Sequence, residues 1–234
     1  MEATPRTITP SDPRSAAAPS APRWWTWLAV VEVALAVAAV LLDVLLPSLL
    51  LVLLAGVSLA VRHQSPATLG LRRSHARWLV PKMFAVAAVW SVVQLGLTMP
   101  VANHLSGHRQ DLGQFIDLQG NIGLLLAFLA LSWTLAAFVE ELAFRGYLLT
   151  RVRELLGPSR LSLVAAVVVT SVLFGVMHSE QGVIGVLLVT MDAVVLCIVR
   201  LRYDSLWASV LVHGFNNTLG FLTFFLVGPV YGLW

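Results

Sequence analysis

The sequence predicts an all-α membrane protein, a polytopic bundle of about seven transmembrane helices. Three observations predict it. First, 58% of the 234 residues are hydrophobic and only 12% are charged, against roughly 45–50% and about 25% in a soluble domain. Second, the apolar residues gather into runs of a length suited to crossing a bilayer, about 20 residues each. Third, arginines cluster between the runs, where a positive-inside bias puts them. The net charge of +3 has that origin, so it is no sign of a nucleic-acid partner. The single cysteine, Cys197, lies in an apolar run and reads as packing. Alone it permits no intrachain disulfide.

Residues 1–22 are rich in Pro, Ser, Thr and Ala and lack apolar periodicity. They read as a disordered cytoplasmic tail. No signal peptide is expected, because the apolar run that follows is too long for one. The transmembrane helical domain then covers 23–234. Trp24, Trp25 and Trp27 open the first run at a membrane interface. It extends to about Leu46 and holds Glu32 and Asp43. Asp43 is placed to snorkel; Glu32 has no partner visible in the sequence. Pro47 breaks the chain, and the second run, Leu49 to Val61, is short for a span. Merging or splitting at Pro47 changes the expected count to six or eight.

A basic loop at 62–77 carries Arg62, Arg72, Arg73 and Arg77. The third run is Val80 to Val101, followed by a polar loop, 102–121, with Arg109 its one arginine. The fourth run goes from Gly123 to about Leu149. It ends in a basic patch of Arg145, Arg151, Arg153 and Arg160, broken at Gly157-Pro158. The fifth run is Leu161 to Met177, the sixth Val183 to Val199 and the seventh Leu206 to Val227. A cytoplasmic N-terminus puts the basic loops 62–77, 151–160 and 200–204 inside. The arginine-poor loops 102–121 and 179–182 then lie outside. An integral protein of the cell membrane is expected.

The fourth run holds Glu140 and Glu141 side by side. One charged side chain at mid-membrane costs roughly 2.5 kcal/mol or more, so the pair calls for a reason. Helical spacing pairs Glu141 with Arg145, four residues on. Glu140 is turned about 100° away, toward Phe144 and Tyr147, with no cation on that face. Glu141 therefore reads as structural and Glu140 as free for chemistry. A buried ion-pair network or a helix end among headgroups is the plain alternative.

Two other runs carry polar residues that packing does not favour. His178 ends the fifth run, four residues after Phe174. His213 lies in the seventh, with Asn217 one turn on and Asn216 beside it. A membrane histidine is often only bonded to a neighbouring helix. Together, however, Glu140, His178, His213 and Asn217 look like acid–base chemistry, with a carboxylate base and imidazole and amide donors. Glu plus two His is also a known zinc ligand set, here without His-Glu-x-x-His on one helix. His63, His75, His104 and His108 lie in loops and are assigned nothing.

Glu140-Glu141-Leu-Ala-Phe144-Arg145-Gly146, Phe174-x-x-x-His178 and His213-x-x-x-Asn217 resemble, in order, the three motifs of the CPBP intramembrane proteases. That family includes type II CAAX prenyl endopeptidases and relatives linked to bacteriocin processing or self-immunity. The resemblance covers about Gly123 to Gly220 and implies a catalytic core at about 121–225. It implies an intramembrane endopeptidase acting on a peptide or protein substrate that is lipidated or membrane-anchored. Glu140 would activate water with help from His178, His213 and Asn217 would hold the oxyanion, and Glu141 and Arg145 would order the site. It leaves open whether the enzyme is of glutamate type, needing no cofactor, or uses zinc on Glu140, His178 and His213. A non-catalytic scaffold or immunity protein is the alternative, and a proton-coupled transporter a remote one. One point of geometry is unresolved by the sequence. Glu140 and His213 lie near basic loops, whereas His178 ends its run on the opposite side. A shared site needs a long fourth helix or a fifth that stops mid-membrane.

Overall fold

A computed structural model describes residues 22–44, 46–72 and 77–234. The tail expected over 1–22 lies outside them except for Pro22. Among the described residues every regular element is helical, and the chain is an all-helical membrane bundle. Seven apolar helices run in order: α1 (Arg23–Leu41), α2 (Pro47–Val61), α3 (Leu79–Ser106), α4 (Ile122–Leu156), α5 (Arg160–Val176), α6 (Gly182–Tyr203) and α7 (Leu206–Val227). Five segments reach a length and hydropathy that suit a full crossing, while α2 and α5 are shorter. Many large apolar side chains face outward, Leu53, Val89 and Leu161 among them. Lipid is the solvent in which such faces are stable.

Local chemistry sets the ends. Pro47 is the first residue of α2, where its missing N–H costs nothing; the helix begins there and not before it. Gly70 ends a 3₁₀ turn, Pro66–Leu69, with φ +87°, and its carbonyl accepts from the Leu206 N–H at 2.9 Å. The turn 66–70 is thereby tied to the start of α7. Asn121 caps α4 by accepting from the Leu124 N–H at 3.1 Å, and Ser159 caps α5 by accepting from Ser162 N–H at 3.0 Å.

Helix α4 is 35 residues long, about 50 Å, well beyond a hydrocarbon core of about 30 Å. Its last stretch, Leu149–Leu156, carries Arg151, Arg153 and Glu154. Two π-helical stretches, Ser132–Glu140 and Leu142–Leu148, occupy its middle. A third π stretch, Gln94–Thr98, interrupts α3. Wide turns of this kind are rare and are frequent at functional sites. In α3 they leave carbonyls for others to use. Leu95 O accepts from the Leu233 N–H at 2.9 Å, and Gly96 O accepts from the Trp234 indole N–H at 2.9 Å.

Helix α7 is packed by α3, α4 and α6, and α5 packs along α6. One core joins Leu51 of α2, Leu69, Phe144, Tyr147 and Leu148 of α4, Phe174 of α5 and Cys197 of α6. A second holds Met83, Leu196, Val199 and Val212. Cys197 is buried and unpaired.

The structure revises three expectations. Glu32 does have partners: Oε2 lies 3.0 Å from Arg62 and 3.4 Å from Arg151. Arg62 and Arg151 are buried, as is Arg145, so these arginines belong to the interior rather than to basic loop surfaces. The residues of the shared site come together with α4 at 35 residues and α5 at only 17. The turn after His178 is partly covered. Gln181 is buried, its carbonyl accepting from the Asp111 N–H at 2.9 Å and its side-chain oxygen from Gln110 at 2.6 Å.

Candidate active site

Three helices bring the polar residues to one place. A cavity of about 620 Å³ opens between α3, α4, α6 and α7 under the 107–118 loop, and Glu140, His178, His213 and Asn217 all line it. The π turns of α4 shape this wall. Phe128, Ser132, Ala136 and Glu140 all face the cavity, and Glu140 is the last residue of the first π stretch. Glu141, one residue on, is fully buried and does not line the cavity.

Phe174 is the hub that joins the segments. Its ring meets Phe144 edge-on at 5.0 Å, His178 at 4.9 Å and His213 edge-on at 6.2 Å. The Arg145 guanidinium stands 4.1 Å from the same ring, a cation–π distance. Arg145 also pairs with Glu141 at 2.9 Å, as the four-residue spacing predicts.

The two imidazoles are held from behind. The His178 Nδ1–H donates to the carbonyl of Phe174 at 2.9 Å, since a carbonyl can only accept. The His213 Nδ1–H donates to Glu141 Oε1 at 3.0 Å. A neutral ring with Nδ1 protonated presents Nε2 as an acceptor. With Nδ1 committed in this way, His213 donates to an oxyanion through Nε2 only as an imidazolium. Asn217 is the residue of the four whose amide is a donor in its ordinary state. One oxygen of Glu140, Oε2, is buried and lacks a hydrogen-bond partner. Asn216, next to Asn217, accepts from Ser91 Oγ at 2.7 Å.

The donor chemistry resembles that of metal-binding histidines, whose second nitrogen is held by a carbonyl or carboxylate. The spacing does not match: among the described residues no three of His, Cys, Asp and Glu gather closely enough to hold one ion.

Other cavity residues escaped the sequence reading. Asp192 of α6 lines the wall with Trp90, and Gln110, Phe115 and Gln181 form the rim. Phe115 lies against Phe128, Phe221 and Phe224 at 5.5–5.7 Å, which seats the loop on α4 and α7. Asp192 was open to discovery by the rule that exposed Glu140, for it is a lone acid in an apolar run.

Fold and cavity define an integral membrane helical protein with carboxylates and imidazoles set into its bundle. Residues 122–219 match the family model described as type II CAAX prenyl endopeptidase Rce1-like. The match runs across all three motif helices. No curated protein and no solved structure matches the chain.

Proposed function

We propose that the protein is an intramembrane endopeptidase of glutamate type, in which Glu140 activates a water for attack on a peptide carbonyl. The observation that carries this is the cavity itself. Four residues from three helices line it, with one oxygen of Glu140 buried and unpartnered there. In the proposed reaction Glu140 takes a proton from the water as the water oxygen bonds to the carbonyl carbon. The Nε2 of His178 accepts the water's other hydrogen and orients it. The amide of Asn217 donates to the oxyanion, joined by His213 when its ring is an imidazolium held by Glu141. Glu140 then passes its proton to the amide nitrogen, the C–N bond breaks, and an acid and an amine leave. Glu141 and Arg145 act behind His213 as positioning residues.

Its substrate is a membrane-anchored or lipidated peptide, since the cavity lies among apolar helices and the matched family model is that of a prenyl endopeptidase. The arginine-rich loops favour a cytoplasmic N-terminus in the cell membrane.

The test is cleavage of a library of membrane-anchored reporter peptides by detergent-purified protein, wild type beside Glu140→Gln, with and without a chelator. Cleavage by wild type alone, indifferent to the chelator, is the expected result. Loss with the chelator brings zinc back, with Glu140, His178 and His213 as its ligands. Full cleavage by Glu140→Gln removes Glu140 as the base. A cellular phenotype that survives Glu140→Gln favours a scaffold or immunity role, and uptake that collapses with the proton gradient favours a transporter.

A further inference from the structure

The proposed chemistry has no task for Asp192, and its setting is unusual. It lies ten residues into α6, on the cavity-facing stripe Val189, Asp192, Val195 and Leu196. Both its oxygens are gripped from α3: Trp90 Nε1–H donates to Oδ1 at 2.6 Å and Gln94 Nε2–H to Oδ2 at 3.1 Å. Gln94 is the first residue of the π stretch in α3, so the wide turn and the acid's anchor coincide. Both anchors are neutral. They fix the carboxylate without cancelling its charge, and a carboxylate has about four lone-pair sites, of which these bonds use two.

Acids outnumber fixed cations in the cavity: its lining includes Glu140, Glu180 and Asp192 and no lysine or arginine, beside the titratable imidazoles of His178 and His213. Arg145, which is not part of the lining, is paired with Glu141 and stacked on Phe174. A wall of this kind repels an anionic group and receives a cationic one. Next to Asp192 the indole of Trp90, with Val189 and Val195, offers an apolar surface for the methylenes of a long basic side chain.

Resting on the peptidase reading above, we infer that Asp192 is the base of a specificity pocket for a lysine or arginine side chain of the peptide substrate, near the bond that is cut. Asp192 thereby selects substrate while Glu140, His178 and Asn217 do the chemistry. The tie from α3 holds the acid in place, and its removal alone does not abolish the charge.

The test is a binding measurement on the full chain in detergent, made with Glu140→Gln so that peptides stay whole. The probes are fluorescent membrane-anchored peptides, identical except for one residue that is lysine, norleucine or glutamate, scanned along the sequence. Lysine is expected to bind about tenfold tighter than norleucine at one position, the size of one charge-assisted hydrogen bond. Adding Asp192→Asn is expected to bring the two within about twofold, with norleucine affinity unchanged, and Asp192→Glu to restore the preference. Equal binding of lysine and norleucine at every position overturns the inference, as does a preference that survives Asp192→Asn. Should Asp192→Asn not fold, the lysine–norleucine comparison in the parent protein still decides. Charge-selective binding of peptides that wild type never cuts leaves this pocket standing and defeats the peptidase reading; cleavage without charge preference does the reverse.

Discussion

Two buried charge clusters lie along α4, and they are built to opposite rules. The lower one gathers Glu32 of α1, Arg62 after α2, and Arg151 and Glu154 of α4. Arg62 touches Glu32 at 3.0 Å and Glu154 at 3.6 Å; Arg151 touches Glu154 at 2.8 Å and Gln64 at 3.0 Å. Two acids meet two bases, so every charge there has a counter-charge within 3.6 Å, although Glu32 Oε2, Arg62 Nε and Arg151 Nε make no hydrogen bond among the described residues. The upper one, at the cavity, pairs Glu141 with Arg145 but, among the described residues, gives Glu140 no ion pair, and it sets Glu140 and both imidazoles in the cavity lining. Burial is common to both, so burial alone does not mark chemistry. An acid without a counter-charge in the lining of a cavity is the better marker.

The sharpest way to break this contrast is to remove one charge from each cluster. Glu140→Gln keeps the shape, and cleavage of a reporter peptide is expected to fall by about 10²–10⁴-fold with little change in melting temperature. Arg62→Ala should do the opposite. It strips the cation between Glu32 and Glu154 and is expected to cost about 3–5 kcal/mol of stability, read by denaturant titration in detergent, while the fraction still folded keeps its turnover rate. If Arg62→Ala lowers turnover per folded molecule as far as Glu140→Gln does, the two clusters are one functional unit and the contrast fails.

Glu141 sits on the border between the rules, closed toward Arg145 yet holding His213. Glu141→Gln retains a hydrogen-bond acceptor for the imidazole but removes the charge that orients both partners. Turnover is expected to drop roughly 10²-fold, the usual cost of about an ångström of misplacement, with substrate binding nearly unchanged. A rise in KM with kcat intact would instead make Glu141 part of the binding surface.

Much of this arrangement was legible in the sequence because lipid makes polar residues conspicuous. Glu140, His178, His213 and Asn217 stand out in runs where any apolar residue would serve, and each lines the cavity. The i,i+4 pairing of Glu141 with Arg145 follows from spacing alone. The partners of Glu32 did not, because Arg62 and Arg151 are distant in sequence and look like loop cations until α1, α2 and α4 are packed. The π stretches were invisible for another reason. Apolar composition fits α and π turns equally, and what fixes the wider turn is tertiary: Leu233 and Trp234 bind the carbonyls it frees. Asp192 carried the same signal as Glu140 but no motif to draw the eye.

The finest test of the contrast concerns space instead of charge. Gly214 lies between His213 and Asn217, and a β-carbon there would strike the six-membered ring of Trp133. That indole is itself held, donating to Thr218 Oγ1 at 3.2 Å, so it has little room to yield. Gly214→Ala is expected to cost about 1–3 kcal/mol through overpacking and to lower turnover by shifting the turn that carries His213 and Asn217. Gly56 in α2 supplies the control, since a β-carbon there meets nothing within 4 Å. Gly56→Ala is expected to stabilise by up to about 1 kcal/mol through helix propensity and to leave turnover alone. The pair separates close packing around the open site from packing in the helices that only brace it. Equal effects of the two alanines on turnover would mean that Trp133 moves freely and that the geometry of α7 at the cavity is set elsewhere.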